Sequence, residues 1–246
     1  MALADYGSAT RTHRAAPAAG TRVDLVMESV RTHIADERLV PGDTIPGESE
    51  FALRCGVSRP VAREAFRSLA SLAVISTGNG RRPRVAALDP SVLGTSIGHA
   101  VATDQMSFQQ IFDVRRTIEA RIVALAARLA SERERTAIVA EARSMERRFA
   151  EPDLVREHDI AFHSLLARAT RNPLFSLLVD GFAEVTRRTW SVAWQARPDD
   201  AARMRSVDTH VAIADAVARS EVARSAELMN EHFDHSLKAL GAAGIR

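Results

Sequence analysis

Asp159 and His163 stand four positions apart in a segment of helical periodicity, so they share one face about a turn apart. Their row runs Val155, Asp159, Phe162, His163, Leu166, apolar apart from these two. A later row places His210 among Val207, Val211, Ala214 and Val217. Another places His232 among Val222, Ala226, Met229, Phe233 and Leu240. Burying unpaired polar or charged groups costs several kcal/mol, so these side chains need partners. One carboxylate and three neutral imidazoles directed into one cavity make a three-nitrogen, one-oxygen metal site. Zinc is the default occupant; nickel, cobalt, manganese or iron accept the same donors. Arg115 interrupts the row Phe108, Ile111, Ile118, Ile122, Leu125, Leu129. Its permanently charged fork matches a carboxylate, so a small acid could bridge the metal and Arg115.

Plainer readings stand beside this one. A lone histidine on an apolar face is usually a hydrogen-bonded core residue, and a bundle of this kind can fold without metal. A metal with an open position could also be catalytic, although no convincing general base lies nearby. Glu119, one turn after Arg115, is expected to pair with it or with a neighbouring helix. His158 and His235 fall off the core rows and read as surface. Trp190 and Trp194, one turn apart, read as packing residues that could line a pocket.

These residues need helices to carry them. The chain has 246 residues, enough for two domains. Helical segments are expected at 107–130, 132–150, 153–170, 173–196, 200–219 and 221–240, punctuated by Pro152, Asn172-Pro173 and Pro198. With no strand-like alternation among them, residues 107–241 read as an antiparallel all-α bundle. Residues 89–106, with Pro90, Gly94 and Gly98, read as a linker with at most one short helix. Residues 1–20 read as a flexible tail without a signal peptide. Lys238 is the sole lysine, which removes a P-loop, and Cys55 the sole cysteine, which removes thiolate zinc sites and intrachain disulfides. Cys55 itself reads as a small buried residue. The longest uncharged run, Pro90 to Thr103, has 14 residues, short of the roughly 18 of a membrane span. A cytoplasmic location is expected.

Residues 21–88 have another pattern. Val23, Val26, Met27, Val30 and Ile34 mark one helix, ended by Pro41-Gly42. A second is expected from Glu48 to Arg54. Gly56 turns the chain, and Ser58 caps a third that runs to about Ala73. Val74–Thr77, the turn Gly78-Asn79-Gly80 and Pro83–Ala86 read as a hairpin. Three helices and a hairpin describe a winged helix-turn-helix. The overall net charge is only +2, yet Arg22–Glu50 carries −4 and Arg54–Arg84 carries +6. Arg59, Arg63 and Arg67 form one stripe of the third helix, about 200° from Val61, Ala65 and Leu69. An isolated stripe of this kind is usually a solvated face. Second in a helix-turn-helix and before a basic hairpin, it suits the DNA major groove. Arg81, Arg82 and Arg84 would then meet phosphates, with Gly80 allowing close approach. Phe66 and Leu72 read as core.

The segments Val40-Pro41-Gly42, Pro46-Gly47-Glu48-Ser49-Glu50 and Gly56-Val57-Ser58-Arg59-Pro60-Val61-Ala62-Arg63-Glu64-Ala65, with the Gly-containing wing, resemble the N-terminal domain of GntR-type bacterial transcriptional regulators. The resemblance implies that Ser58, Arg59, Arg63 and Gly80 contact operator DNA. Gly47 stands where the helix cap is usually Ser, Ser49 where some members carry Arg, and Pro60 one residue earlier than in many members. Val114-Arg115-Arg116-Thr117-Ile118-Glu119, Asp159-Ile160-Ala161-Phe162-His163, Asn172-Pro173, His210-Val211-Ala212-Ile213 and Met229-Asn230-Glu231-His232 resemble the FadR C-terminal effector domain, or FCD domain, of these regulators. That likeness implies a homodimer and a divalent metal on Asp159, His163, His210 and His232, with a small carboxylate effector on Arg115. The resulting expectation is a metabolite-responsive repressor binding a palindromic operator. The alternatives are a regulator for which the metal itself is the signal, and a helical metal-dependent enzyme.

Overall fold

The computed structural model describes residues 20–78 and 81–244. The expected tail lies almost entirely, and Gly80 wholly, outside the described residues. The chain divides into two compact units, residues 1–87 and 88–246.

In the first unit, α1 (Arg22–Asp36) starts at a capping box. The Thr21 hydroxyl accepts from the Asp24 amide, and the Asp24 carboxylate accepts from the Thr21 amide. The second helix, α2 (Glu48–Cys55), stops at Gly56, whose φ of 63° is the left-handed geometry that glycine adopts cheaply. The following α3 (Arg59–Ser71) has Ser58 at its cap position and Pro60 in its first turn, where a missing N–H costs nothing. The Ser58 hydroxyl makes no cap bond. Strands β1 (Ile75–Gly78) and β2 (Arg81–Val85) pair antiparallel as the wing.

The core of this unit gathers Val26, Val30, Ile45, Phe51, Phe66, Leu69 and Ile75 with three alanines. On α3 the buried residues are Ala62, Ala65, Phe66 and Leu69, while Val61 is half-buried. Leu72, read as core, is 48% exposed because α3 ends at Ser71 and the chain turns away there. Cys55 is half-buried.

The second unit is all helical: α4 (Pro90–Ala102), α5 (Phe108–Leu129), α6 (Glu132–Arg147), α7 (Pro152–Ala169), α8 (Pro173–Gln195), α9 (Asp200–Ala218) and α10 (Val222–Ala242). Helix α5 packs on α10 and α7, α6 on α7 and α9, and α7 on α8. The stretch read as a linker holds α4, a 13-residue helix capped by Asp89 and packed along α8. Glycines that lower helix propensity let these two helices approach. A Cβ on Gly94 would sit 3.1 Å from the Gly181 carbonyl oxygen, and one on Gly181 would sit 2.7 Å from a Leu93 methyl.

The buried arc of α5 is Ile111, Phe112, Arg115, Glu119, Ile122, Val123, Ala126 and Ala127. It differs from the expected row at Leu129, which is 45% exposed. Neighbours on several sides, α7, α9 and α10 among them, bury a wider arc. Among the described residues, no helix is long and apolar enough to cross a membrane.

Candidate metal and effector site

Three helices bring the expected donors together. Asp159 and His163 come from α7, His210 from α9 and His232 from α10, and all four are buried. One donor atom from each lies within 4.8 Å of the others. Ligands about 2.0–2.2 Å from a tetrahedral ion stand roughly 3.4 Å apart, so only a small contraction is needed.

The hydrogen bonds around the cluster fix which ring nitrogens face inward. His210 Nδ1 donates to the Ser206 carbonyl at 2.8 Å, which leaves Nε2 with its lone pair in the neutral ring. That Nε2 lies 2.8 Å from Asp159 Oδ1, in a direction that makes no hydrogen bond. Two acceptors this close repel unless a cation or proton lies between them. His163 Nδ1 donates to Glu119 Oε2, and His163 Nε2 is buried without a partner. Buried polar atoms are rarely left unpaired, so two orphaned imidazole nitrogens in one cluster fit a cation.

The charge states agree with that fit. Burial opposes ionisation of Asp159, but His210 first, then His163 and His232, outweigh it when they carry protons and hold the carboxylate below its usual range; with the rings neutral, a bound cation would take over that role. Burial, reinforced by His210 and His163, holds His232 well below the usual imidazole range, so the ring is neutral at pH 7.

Arg115 sits beside the cluster on α5. Its Nε donates to Glu119 Oε1 at 2.8 Å and its Nη1 to Thr186 Oγ1 at 2.8 Å. Nη2 has no partner among the described residues. The guanidinium lies 5.1 Å from the Phe233 ring centre, which helps to hold its plane. Glu119 therefore touches both Arg115 and His163. Burial raises its pKa, yet Arg115 and then His163 bring it below the usual value. The sequence pointed Glu119 at Arg115 or at a neighbouring helix; it touches both, the partner across helices being His163, 44 positions away in the chain.

A cavity of about 40 Å3 opens beside these groups, lined by Arg115, Asp159, His232, Trp190, Trp194 and Arg197 among others. The two tryptophans stack at 4.7 Å between ring centres, so they line the cavity as well as pack. No sequence signal singled out Arg197, which follows the last turn of α8. His158 pairs with Glu141 away from the cluster, and His235 is exposed.

In the first unit, Ser58, Arg59, Arg63 and Arg67 are exposed along α3, opposite its buried face, and Arg81 is exposed on β2. Arg63 lies 3.4 Å from Glu48, a contact open to solvent. Arg84 instead donates to the Gly42 carbonyl and ties the wing to the loop before α2.

Residues 23–85 match the family described as bacterial regulatory proteins, gntR family, and residues 110–235 match the FCD domain. The chain is a GntR-family transcriptional regulator with an FCD domain. It is similar to the HTH-type transcriptional repressor NanR of Enterobacter sp. (strain 638), at 24% identity over 218 residues, 86% of this chain and 82% of that one. It is also similar to the galactonate operon transcriptional repressor of Escherichia coli (strain K12), at 24% identity over 206 residues, 81% of this chain and 88% of that one. A solved structure of Streptococcus agalactiae GntR superposes with a TM-score of 0.62 at 20% identity, over 87% of this chain and 97% of that one. The last likeness concerns the fold. Members of this family regulate transcription, so the GntR-family regulator is not an enzyme.

Proposed function

We propose that this GntR-family regulator is a metabolite-responsive repressor whose helical unit senses a small hydroxy or sugar acid at a divalent metal. Asp159, His163, His210 and His232 would hold the ion, with zinc the default for this donor set and nickel, cobalt, manganese or iron as substitutes. The observation that carries the reading is the pair of buried Nε2 atoms of His163 and His210, which have no hydrogen-bond partner and stand beside an ionised Asp159. When bound, the ion supplies a concentrated positive charge that binds a carboxylate or hydroxyl oxygen. Arg115 Nη2 is placed to take another oxygen of the acid, while Glu119 and Thr186 hold the guanidinium still.

The first unit would dock α3 in the major groove through Ser58, Arg59, Arg63 and Arg67, with Arg81 and Gly80 of the wing on the backbone. A homodimer would match a palindromic operator. The acid would release DNA by favouring a dimer geometry that fits the operator poorly. The names of two relatives support repression, and one of them names a sugar acid operon.

The test uses His163→Ala and Arg115→Ala in the full chain. His163→Ala is expected to lose stoichiometric metal by elemental analysis and to melt several degrees lower, since a metal that binds only the native state stabilises it. Arg115→Ala is expected to keep metal and operator binding but lose acid-induced release. Full metal content in His163→Ala, or a normal acid response in Arg115→Ala, overturns the respective assignment.

A further inference from the structure

Arg197 lines the same cavity as Arg115 and lacks the partner that most of the bundle's arginines have. It is partly buried at the end of α8. Its Nη1 donates to the Ala193 carbonyl at 2.7 Å and its Nη2 to Ser206 Oγ at 3.1 Å. Among the described residues, no carboxylate comes within 4.0 Å of it. Trp194, 6.0 Å from the guanidinium carbon to the ring centre, helps to fix its position. A guanidinium can share one N–H face with a neutral acceptor and still present charge to a ligand, because its five donors outnumber the two bonds described.

Charge accounting points to the ligand. The groups around the cavity are Arg115 and Arg197, balanced by Asp159 and Glu119. The set is neutral while the histidines are neutral, and a divalent ion on the four donors leaves two positive charges in a confined, partly dry space. A monocarboxylate cancels one of them. Uncompensated charge in such surroundings is costly, so the fuller match is a ligand with two negative charges.

We propose that the effector is a hydroxylated dicarboxylate, with one carboxylate at the metal and Arg115 and the second at Arg197. The proposal rests on the acid-sensing reading above and narrows its ligand class. Thr186, Thr189, Ser206 and Ser236 border the space between and offer hydroxyls to those of the ligand. At about 40 Å3 the cavity has room for a water or two, so the acid enters only when its wall parts. Arg197 lies at the α8–α9 connection, a part of that wall without helical hydrogen bonds on both sides.

Matched pairs test this on the full-length, metal-loaded protein. Galactarate against galactonate, and malate against 3-hydroxybutyrate, differ at one end by an acidic group. Calorimetric titration is expected to show the diacid binding roughly 10–100-fold tighter, the range of one charge-assisted contact. Arg197→Gln is expected to bring the diacid down to the monoacid's affinity, with metal content and monoacid binding unchanged. Equal binding of diacid and monoacid by the wild type, or equal losses for both in Arg197→Gln, overturns the proposal while leaving acid sensing intact. Absence of binding by any acid to the metal-loaded protein overturns both.

Discussion

Glu119 shows how one buried carboxylate serves two neighbours. With Oε2 it accepts from His163 Nδ1, which leaves Nε2 free for a metal, and with Oε1 it holds Arg115. Such outer partners set the tautomer and basicity of a metal-binding imidazole. Glu119→Gln is expected to weaken cobalt binding, followed by its visible absorption, about 10–100-fold. Unchanged affinity would show that His163 is oriented by packing alone. At this scale the sequence was partly legible. Asp159, His163, His210 and His232 stood out because polar residues interrupted apolar rows. Arg197 could not, because it follows a helix end where no periodicity marks a polar residue as unusual. For Glu119 the partner within its helix was legible by residue, while the one on a neighbouring helix was expected but not identified, since the i, i+4 relation names contacts within a helix and none across helices.

At the scale of elements, the start of α6 joins a cap to a tertiary contact. Ser131 and Glu134 form a capping box, and Arg171, just beyond α7, grips both oxygens of Glu134 at 2.5 and 2.6 Å. Those bonds, first from Arg171 and then from Ser131, pull the Glu134 pKa down to about 2 from 4.5. A carboxylate depressed in the folded state stabilises it above the unfolded pKa, and that stability is lost as pH falls toward the folded value. Glu134→Gln is expected to cost about 1 kcal/mol at pH 7, the large shift being discounted because Arg171 is exposed to solvent. In urea melts of metal-stripped protein, the gap between wild type and variant should close between about pH 4.5 and 2. A gap independent of pH would reduce the contact to an uncharged cap. Most helix bounds in the second unit were legible because caps and prolines punctuate them. Helix α4 was obscured by Gly94 and Gly98, which argue for a linker locally and for close helix packing only once α8 is in view.

For the whole molecule, function requires the DNA-reading unit and the sensing unit to share one equilibrium. Any such coupling is reciprocal: an acid that weakens operator binding by a given factor is itself weakened by DNA to the same extent, typically about 1–3 kcal/mol. In the proposed function, DNA reading depends on the α3 stripe. Arg63→Ala is expected to cost about 1–3 kcal/mol on the operator, measured by fluorescence anisotropy, with a smaller loss on scrambled DNA. Its melting temperature should not move, because Arg63 is exposed and its contact with Glu48 is solvated. Equal losses on both DNAs would assign Arg63 to the phosphates. What the sequence shows of the reading side is a reversal of charge from −4 to +6 within the first unit, which the overall +2 conceals.

The notch at Gly181 has a mechanical corollary. Leu93 fills it so tightly that a single added carbon would collide at 2.7 Å, so α4 is keyed to α8 like a tooth in a rack. Sliding one helix along the other would draw Leu93 out of that notch, so the two are expected to move together. Trp190 and Trp194 stand on α8, so a displacement of that cavity wall on ligand entry is expected to reach Pro90, the first residue of α4, as well.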